Sequence, residues 1–75
     1  MDIKKKFGLT VKKLRLRNKQ SQEKFSLSIG VDRTYLASIE SGKRNVSIAN
    51  IEKIAIGFGV SLSDLFMIVD SIDKQ

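Results

Sequence analysis

Arg33, Thr34 and Tyr35 stand in succession and together offer the chemistry of reading a nucleic-acid base. A guanidinium can donate two parallel hydrogen bonds to guanine O6 and N7, and a threonine can present a hydroxyl or a methyl to thymine. A tyrosine can stack on a base or bond to a base or phosphate, although Tyr35 falls near the apolar side of its helix, where an aromatic is as readily partial core. The chain offers little other chemistry. It has no Cys and no His, which excludes disulfides, thiolate nucleophiles, thiolate zinc sites and imidazole bases. Its Glu23, Asp32, Glu40 and Glu52 are scattered singly, at positions that suit caps and ion pairs better than a carboxylate enzyme. Gly57 and Gly59 lack the surroundings of a phosphate-binding loop and read as the end of a helix. No enzymatic activity, metal, cofactor or small-molecule ligand is expected.

The elements that position these residues lie in Gln22 to Ile39, QEKFSLSIGVDRTYLASI. Apolar Phe25, Ile29, Val31, Leu36 and Ile39 mark two short helices, and Gly30 stands where a tight turn needs positive φ. Ser21 and Asp32 fall where N-caps belong, so the helices run from Ser21 to about Ser28 and from Asp32 to about Ser41, the second closed by Gly42. This spacing predicts a helix-turn-helix, in which one helix crosses the DNA backbone and the next enters the major groove. On the second helix Leu36 and Ile39 point inward, while Thr34, Ala37, Ser38 and Ser41 point outward, with Arg33 and Tyr35 on the flanks. That outward face is short, polar and free of acids. Gln22 opens the first helix, where its amide and the free backbone N–H groups can grip a phosphate. Lys43, Arg44 and Asn45 follow in a loop at the same height; singly each is an ordinary solvated charge or polar group, and their convergence on one face is the informative feature.

Three more helices complete an all-α chain with no strand pattern. Ile3, Phe7, Val11 and Leu14 recur at helical spacing up to Asn18. Basic residues between them leave open an amphipathic membrane-surface helix, against which stands the absence of Trp. Ser47 caps a fourth helix with the stripe Ile48, Ile51, Ile54, Ala55 and Phe58, ended by Gly57 or Gly59. Ser61 and Asp64 resemble a capping box opening the fifth. With 75 residues, 41% of them apolar, one domain spanning 1–75 is expected, small enough that oligomerisation would help its core. The net charge is +6, and twelve of the fourteen Lys and Arg lie in residues 1–45 beside four acids, against two basic and four acidic residues in 46–75. Such a split suits a phosphate-facing half and a half used for something else. No signal peptide or membrane-length apolar run is read, so a cytoplasmic, nucleoid-associated location is expected, and the Asn45–Ser47 glycosylation sequon is read as coincidence.

From Phe7 through Phe66 the chain resembles the Cro/C1-type helix-turn-helix regulators, the family of phage repressors and xenobiotic-response-element-like regulators. The matching stretches are VKKLR at 11 to 15, SQEKFS at 21 to 26, GVDRTYLASIESGKRNVS at 30 to 47 and IEKIAIGFGVSLSDLF at 51 to 66. DRTYL followed by IESGKRN looks most like the controller proteins of restriction-modification systems. The resemblance implies a five-helix, lambda-repressor-like DNA-binding domain that binds near-palindromic operators as a homodimer. It also implies that Arg33, Thr34, Tyr35 and Arg44 read bases, that Gln22, Ser38, Lys43 and Asn45 lie near the backbone, and that Arg15 pairs with Glu40 to orient the recognition helix. Ser26 in place of a usual Ala, and Val46 in place of a common Pro, depart from the family without touching the reading face. A phage-type repressor and a DNA-binding antitoxin remain within this resemblance. A protein-interaction module that has lost DNA binding would be expected to carry acids or bulky apolar residues on the reading face.

The fifth helix carries Leu62, Leu65, Phe66, Val69 and Ile72 on one face and leaves Met67 and Ile68 off it. All of them could be ordinary core. The alternative is a two-fold interface through Leu65, Met67, Ile68, Val69 and Ile72, at the mildly acidic end where two copies meet without repulsion. Contact with RNA polymerase is compatible with such a regulator, but no residue announces it.

Overall fold

The computed structural model describes residues 1–72 of the chain. Five helices follow in order: α1 (Ile3–Arg17), α2 (Gln22–Ile29), α3 (Arg33–Glu40), α4 (Ile48–Phe58) and α5 (Leu62–Ser71), with no strand among the described residues. Each begins on a side chain that accepts a hydrogen bond from an amide the helix itself cannot satisfy. Asp2 accepts from Lys5 N–H at 2.9 Å. Ser21, Asp32, Ser47 and Ser61 accept from Lys24, Thr34, Asn50 and Asp64 at 3.0, 3.1, 3.2 and 3.0 Å. Gly30 ends α2 at φ +74°, a conformation that admits an L side chain only with strain. It lets Val31 N–H return to the Ser26 carbonyl at 3.0 Å, closing α2 and turning the chain directly into α3.

One core joins all five helices. Phe7, Val11 and Leu14 meet Phe25, Ile29, Leu36 and Ile39, with Ile54, Ala55, Leu65 and Val69 closing the other side. Phe25 and Phe58 stack at 4.3 Å between ring centroids, locking α2 to α4. No single helix among the described residues is long and apolar enough to cross a membrane; α4 and α5 reach that length only as a pair bent by 93°.

Three expectations need correction, and one open alternative is decided. Ile3 and Ile48 are 56% and 72% exposed, because each sits in the first turn of its helix, ahead of the turns that contact the core. Gly59, at φ +69°, is the left-handed cap of α4, whereas Gly57 lies within the helix. A Cβ on Gly57 would strike Ile29 Cγ2 and press on the Phe25 ring, so that glycine lets α2 and α4 approach. On α5, Leu65 and Val69 have no exposed surface and Ile72 is also buried within the same chain. Leu65 and Val69 are core with no surface left to give to a partner, and Ile72 keeps only 9% of its own. Met67, 67% exposed, and the half-buried Ile68 are the apolar residues of the expected interface that still meet solvent.

Candidate nucleic-acid interface

Two devices seat α3. Gly8 of α1 lies against the last turn of α3, where a Cβ would collide with the carbonyl oxygen of Ile39 and lie 2.9 Å from that of Glu40. The second is electrostatic. Arg15 Nε donates to Glu40 Oε2 at 2.7 Å and its Nη2 to Oε1 at 2.9 Å, a bidentate pair whose side chains are 8% and 3% exposed. Arg15 Nη1 donates to the Gln20 carbonyl at 2.7 Å, and Gln22 Nε2 donates to Glu40 Oε1 at 3.1 Å. The hydrogen bond to Glu40 raises the Arg15 pKa above its ordinary value; burial opposes it and the nearby carboxylate charge adds to it. Arg15 thus stays charged, and α1, the α1–α2 turn, α2 and α3 are tied at one point.

The reading face then falls into an open part and a linked part. Arg33 and Thr34 are exposed at the start of α3, and the Arg33 side chain makes no hydrogen bond or ion pair with the described residues. Tyr35 is half-buried, packed against the core on one side and reaching α4 on the other, where Asn50 Nδ2 donates to its hydroxyl at 3.1 Å. Arg44, in the exposed loop after α3, lies over the Tyr35 ring with Cζ 5.2 Å from the centroid. Its Nε donates to Ser38 Oγ at 3.0 Å, and Ser38 Oγ donates to the Tyr35 carbonyl at 2.7 Å. Arg44 is therefore folded back on α3, and its two terminal nitrogens make no hydrogen bond with the described residues. Lys43 and Asn45 are exposed on either side of it.

The structure brings Arg33, Thr34, Tyr35, Ser38 and Arg44 together on and beside α3, with Lys43 and Asn45 adjoining. It gives Gln22 and Ser38 internal partners: one N–H of the Gln22 amide goes to Glu40, leaving its second N–H and the backbone amides at the start of α2 as the donors there, and the Ser38 hydroxyl orders Arg44. Asn50 escaped the sequence reading. It is the one uncharged polar side chain in IANIEKIAIGF that is not Ala or Gly, and only the fold carries it across fifteen positions to Tyr35. Among the described residues no three Asp, Glu, His or Cys side chains converge on a possible metal position. An apolar cleft of about 170 Å³ beside Arg44, walled by Ile3, Phe7, Val46, Ile51 and Phe66, holds no acid–base pair.

Capped helices around a glycine turn, with a basic and polar outer face on the second, define a helix-turn-helix protein. The chain belongs to the helix-turn-helix family, whose pattern matches residues 11–65. It is 53% identical over 75 residues to Control protein C.MunI from Mycoplasma sp, covering 99% of this chain and 97% of that protein. Its fold is similar to that of the restriction-modification controller protein C.AhdI from Aeromonas hydrophila, at a TM-score of 0.80 and 38% identity over 84% of this chain and 96% of the other. The controller protein C.Esp1396I, solved as a tetramer on its natural 35 base-pair operator, superposes at a TM-score of 0.86 with 31% identity, covering 95% of this chain and 93% of the other. That protein has also been solved with substitutions at three successive positions, an Arg, a Thr and a Tyr.

Proposed function

We propose that this protein is an operator-binding transcriptional regulator of the restriction-modification controller class, acting as a homodimer through occupancy of DNA and not through catalysis. The observation that carries this reading is the face of α3: Arg33 and Thr34 exposed, Tyr35 and Arg44 stacked beside them, no acid among them, and the helix held from behind by the buried Arg15–Glu40 pair. The similarity to C.MunI and to operator-bound C.Esp1396I supports it, and Arg33, Thr34 and Tyr35 form the one Arg-Thr-Tyr run in this chain.

In this reading α3 lies in the major groove with Arg33, Thr34, Tyr35 and Arg44 reaching base edges. Lys43, Asn45 and the α2 amides hold the backbone and supply affinity that falls with salt, by about 0.9 in log K per log salt for each phosphate neutralised. Residues 1–75 act as one domain in the cytoplasm, at the nucleoid. Two copies meet through the less basic α4–α5 half, where Met67 and Ile68 meet solvent, and a two-fold dimer sets two recognition helices roughly 34 Å apart.

Selection of bound duplexes from a random pool tests this directly. The expected product is a near-palindromic site with half-sites one helical turn apart. Enrichment of no sequence, or of one isolated half-site, would overturn the proposal.

A further inference from the structure

We infer that Asn50, on α4 and outside the reading face, is a positioning residue for base recognition, setting sequence preference through Tyr35 and Arg44. This rests on the operator-binding reading above.

Three contacts in series carry the inference. Asn50 Nδ2 donates to the Tyr35 hydroxyl at 3.1 Å, tethering the outer end of a half-buried tyrosine on α3 to α4. The Tyr35 ring supports the Arg44 guanidinium at 5.2 Å. Ser38, itself bonded to the Tyr35 carbonyl, takes Arg44 Nε at 3.0 Å. With Nε occupied, Arg44 can offer a base only its terminal Nη1 and Nη2 edge, end-on, and that edge is aimed by the ring beneath it.

A long loop arginine otherwise loses much rotamer freedom when it binds. Here the order exists before DNA arrives and is anchored in α4, an element whose other inward residues, Ile54 and Ala55, belong to the core. Removing the Asn50 amide frees the Tyr35 hydroxyl end and, with it, the platform under Arg44. Phosphate contacts made by Lys43 and the α2 amides do not pass through this chain of contacts.

The experiment measures dissociation constants for the selected operator and for a random duplex of equal length, at fixed salt. The proteins are the wild type, Asn50→Ala, Tyr35→Phe and the double variant, each also examined by thermal melting. Asn50→Ala is expected to lower the operator-to-random preference about three- to tenfold, the worth of one neutral hydrogen bond, with random-duplex affinity unchanged and the melting temperature lowered by only a few degrees, so that the protein stays folded in the assay. In the Tyr35→Phe background the same substitution is expected to have no further effect, because the partner hydroxyl is already gone. Repeating the selection with Asn50→Ala should relax the same base positions that Arg44→Ala relaxes.

An unchanged preference in Asn50→Ala, equal weakening of both duplexes, or additive losses in the double variant would each overturn the inference while leaving the regulator reading intact. A wild type that does not discriminate operator from random duplex would overturn the regulator reading itself, and this inference with it.

Discussion

Glu40 is the residue on which the geometry of recognition depends most, although its carboxylate faces away from the reading side chains. Both of its oxygens are engaged, by Arg15 at 2.7 and 2.9 Å and by Gln22 at 3.1 Å, in a largely buried region. Replacing Glu40 with Ala leaves the Arg15 guanidinium buried with only the Gln20 carbonyl, and the penalty for such an orphaned charge is about 3–5 kcal/mol. A small domain has little more than that to lose, so Glu40→Ala is expected to be largely unfolded near body temperature, and an unchanged denaturation midpoint would contradict the assignment. Arg33 is the opposite case. It is exposed and its side chain makes no hydrogen bond or ion pair with the described residues, so Arg33→Ala should leave the melting temperature within about 2–4 °C, the shift that about 0.5 kcal/mol gives a domain of this size. It should instead reduce discrimination by about 1–3 kcal/mol at a single base pair. Equal loss on operator and random duplex would make Arg33 a phosphate contact.

At the scale of elements, local chemistry was legible in the residues and tertiary approach was not. Ser21, Asp32, Ser47 and Ser61 identify themselves because a cap binds an amide two or three positions away, and Gly30, Gly42 and Gly59 mark their turns by needing positive φ. Gly8 gives no such sign. Inside a helix it looks like a weak point that Ala should improve by about 1 kcal/mol. Its missing Cβ is what admits the Ile39 and Glu40 carbonyls of α3, and backbone cannot move aside as a side-chain tip can. Gly8→Ala is therefore expected to destabilise by about 1–3 kcal/mol despite the better helix propensity, and to weaken operator binding by tilting α3; a rise in melting temperature would refute the close packing. The N-terminus of α1 adds a pH-dependent prediction. The backbone N–H of Lys5, bonded to the Asp2 carboxylate, lowers its pKa from 3.8. A lowered folded-state pKa means the cap contributes fully above the ordinary carboxylate value and is lost as pH falls through the lower one. Amide exchange at Lys5 should thus be slow at about pH 5 and lose its protection in stronger acid; protection independent of pH would remove the cap.

For the whole molecule, the same periodicity on α5 was consistent with core and with interface, and only the packing of the other four helices distinguishes them. Leu65 and Val69 are sealed by α1 and α4 within one chain, so of the expected interface residues Met67 and Ile68 are the ones with surface to offer a second copy. Asn50 and Tyr35 were invisible as a pair for a related reason, since a contact across fifteen positions leaves no periodic trace. Charge supports the division of labour: the basic surplus lies in residues 1–45, leaving α4 and α5 able to approach another copy without strong repulsion. Met67→Asp is the sharper test of this arrangement than any change at Leu65. The side chain is 67% exposed, so an aspartate there is solvated in the monomer and the fold should survive; in a dimer it would place two like charges at an apolar contact. Sedimentation should show the wild type as a dimer at micromolar concentration and Met67→Asp as a folded monomer. Operator binding by that monomer should weaken by orders of magnitude, because one half-site then binds without the other, while affinity for a single half-site should change little. A Met67→Asp protein that stays dimeric and binds the full operator normally would move the interface off this face of α5.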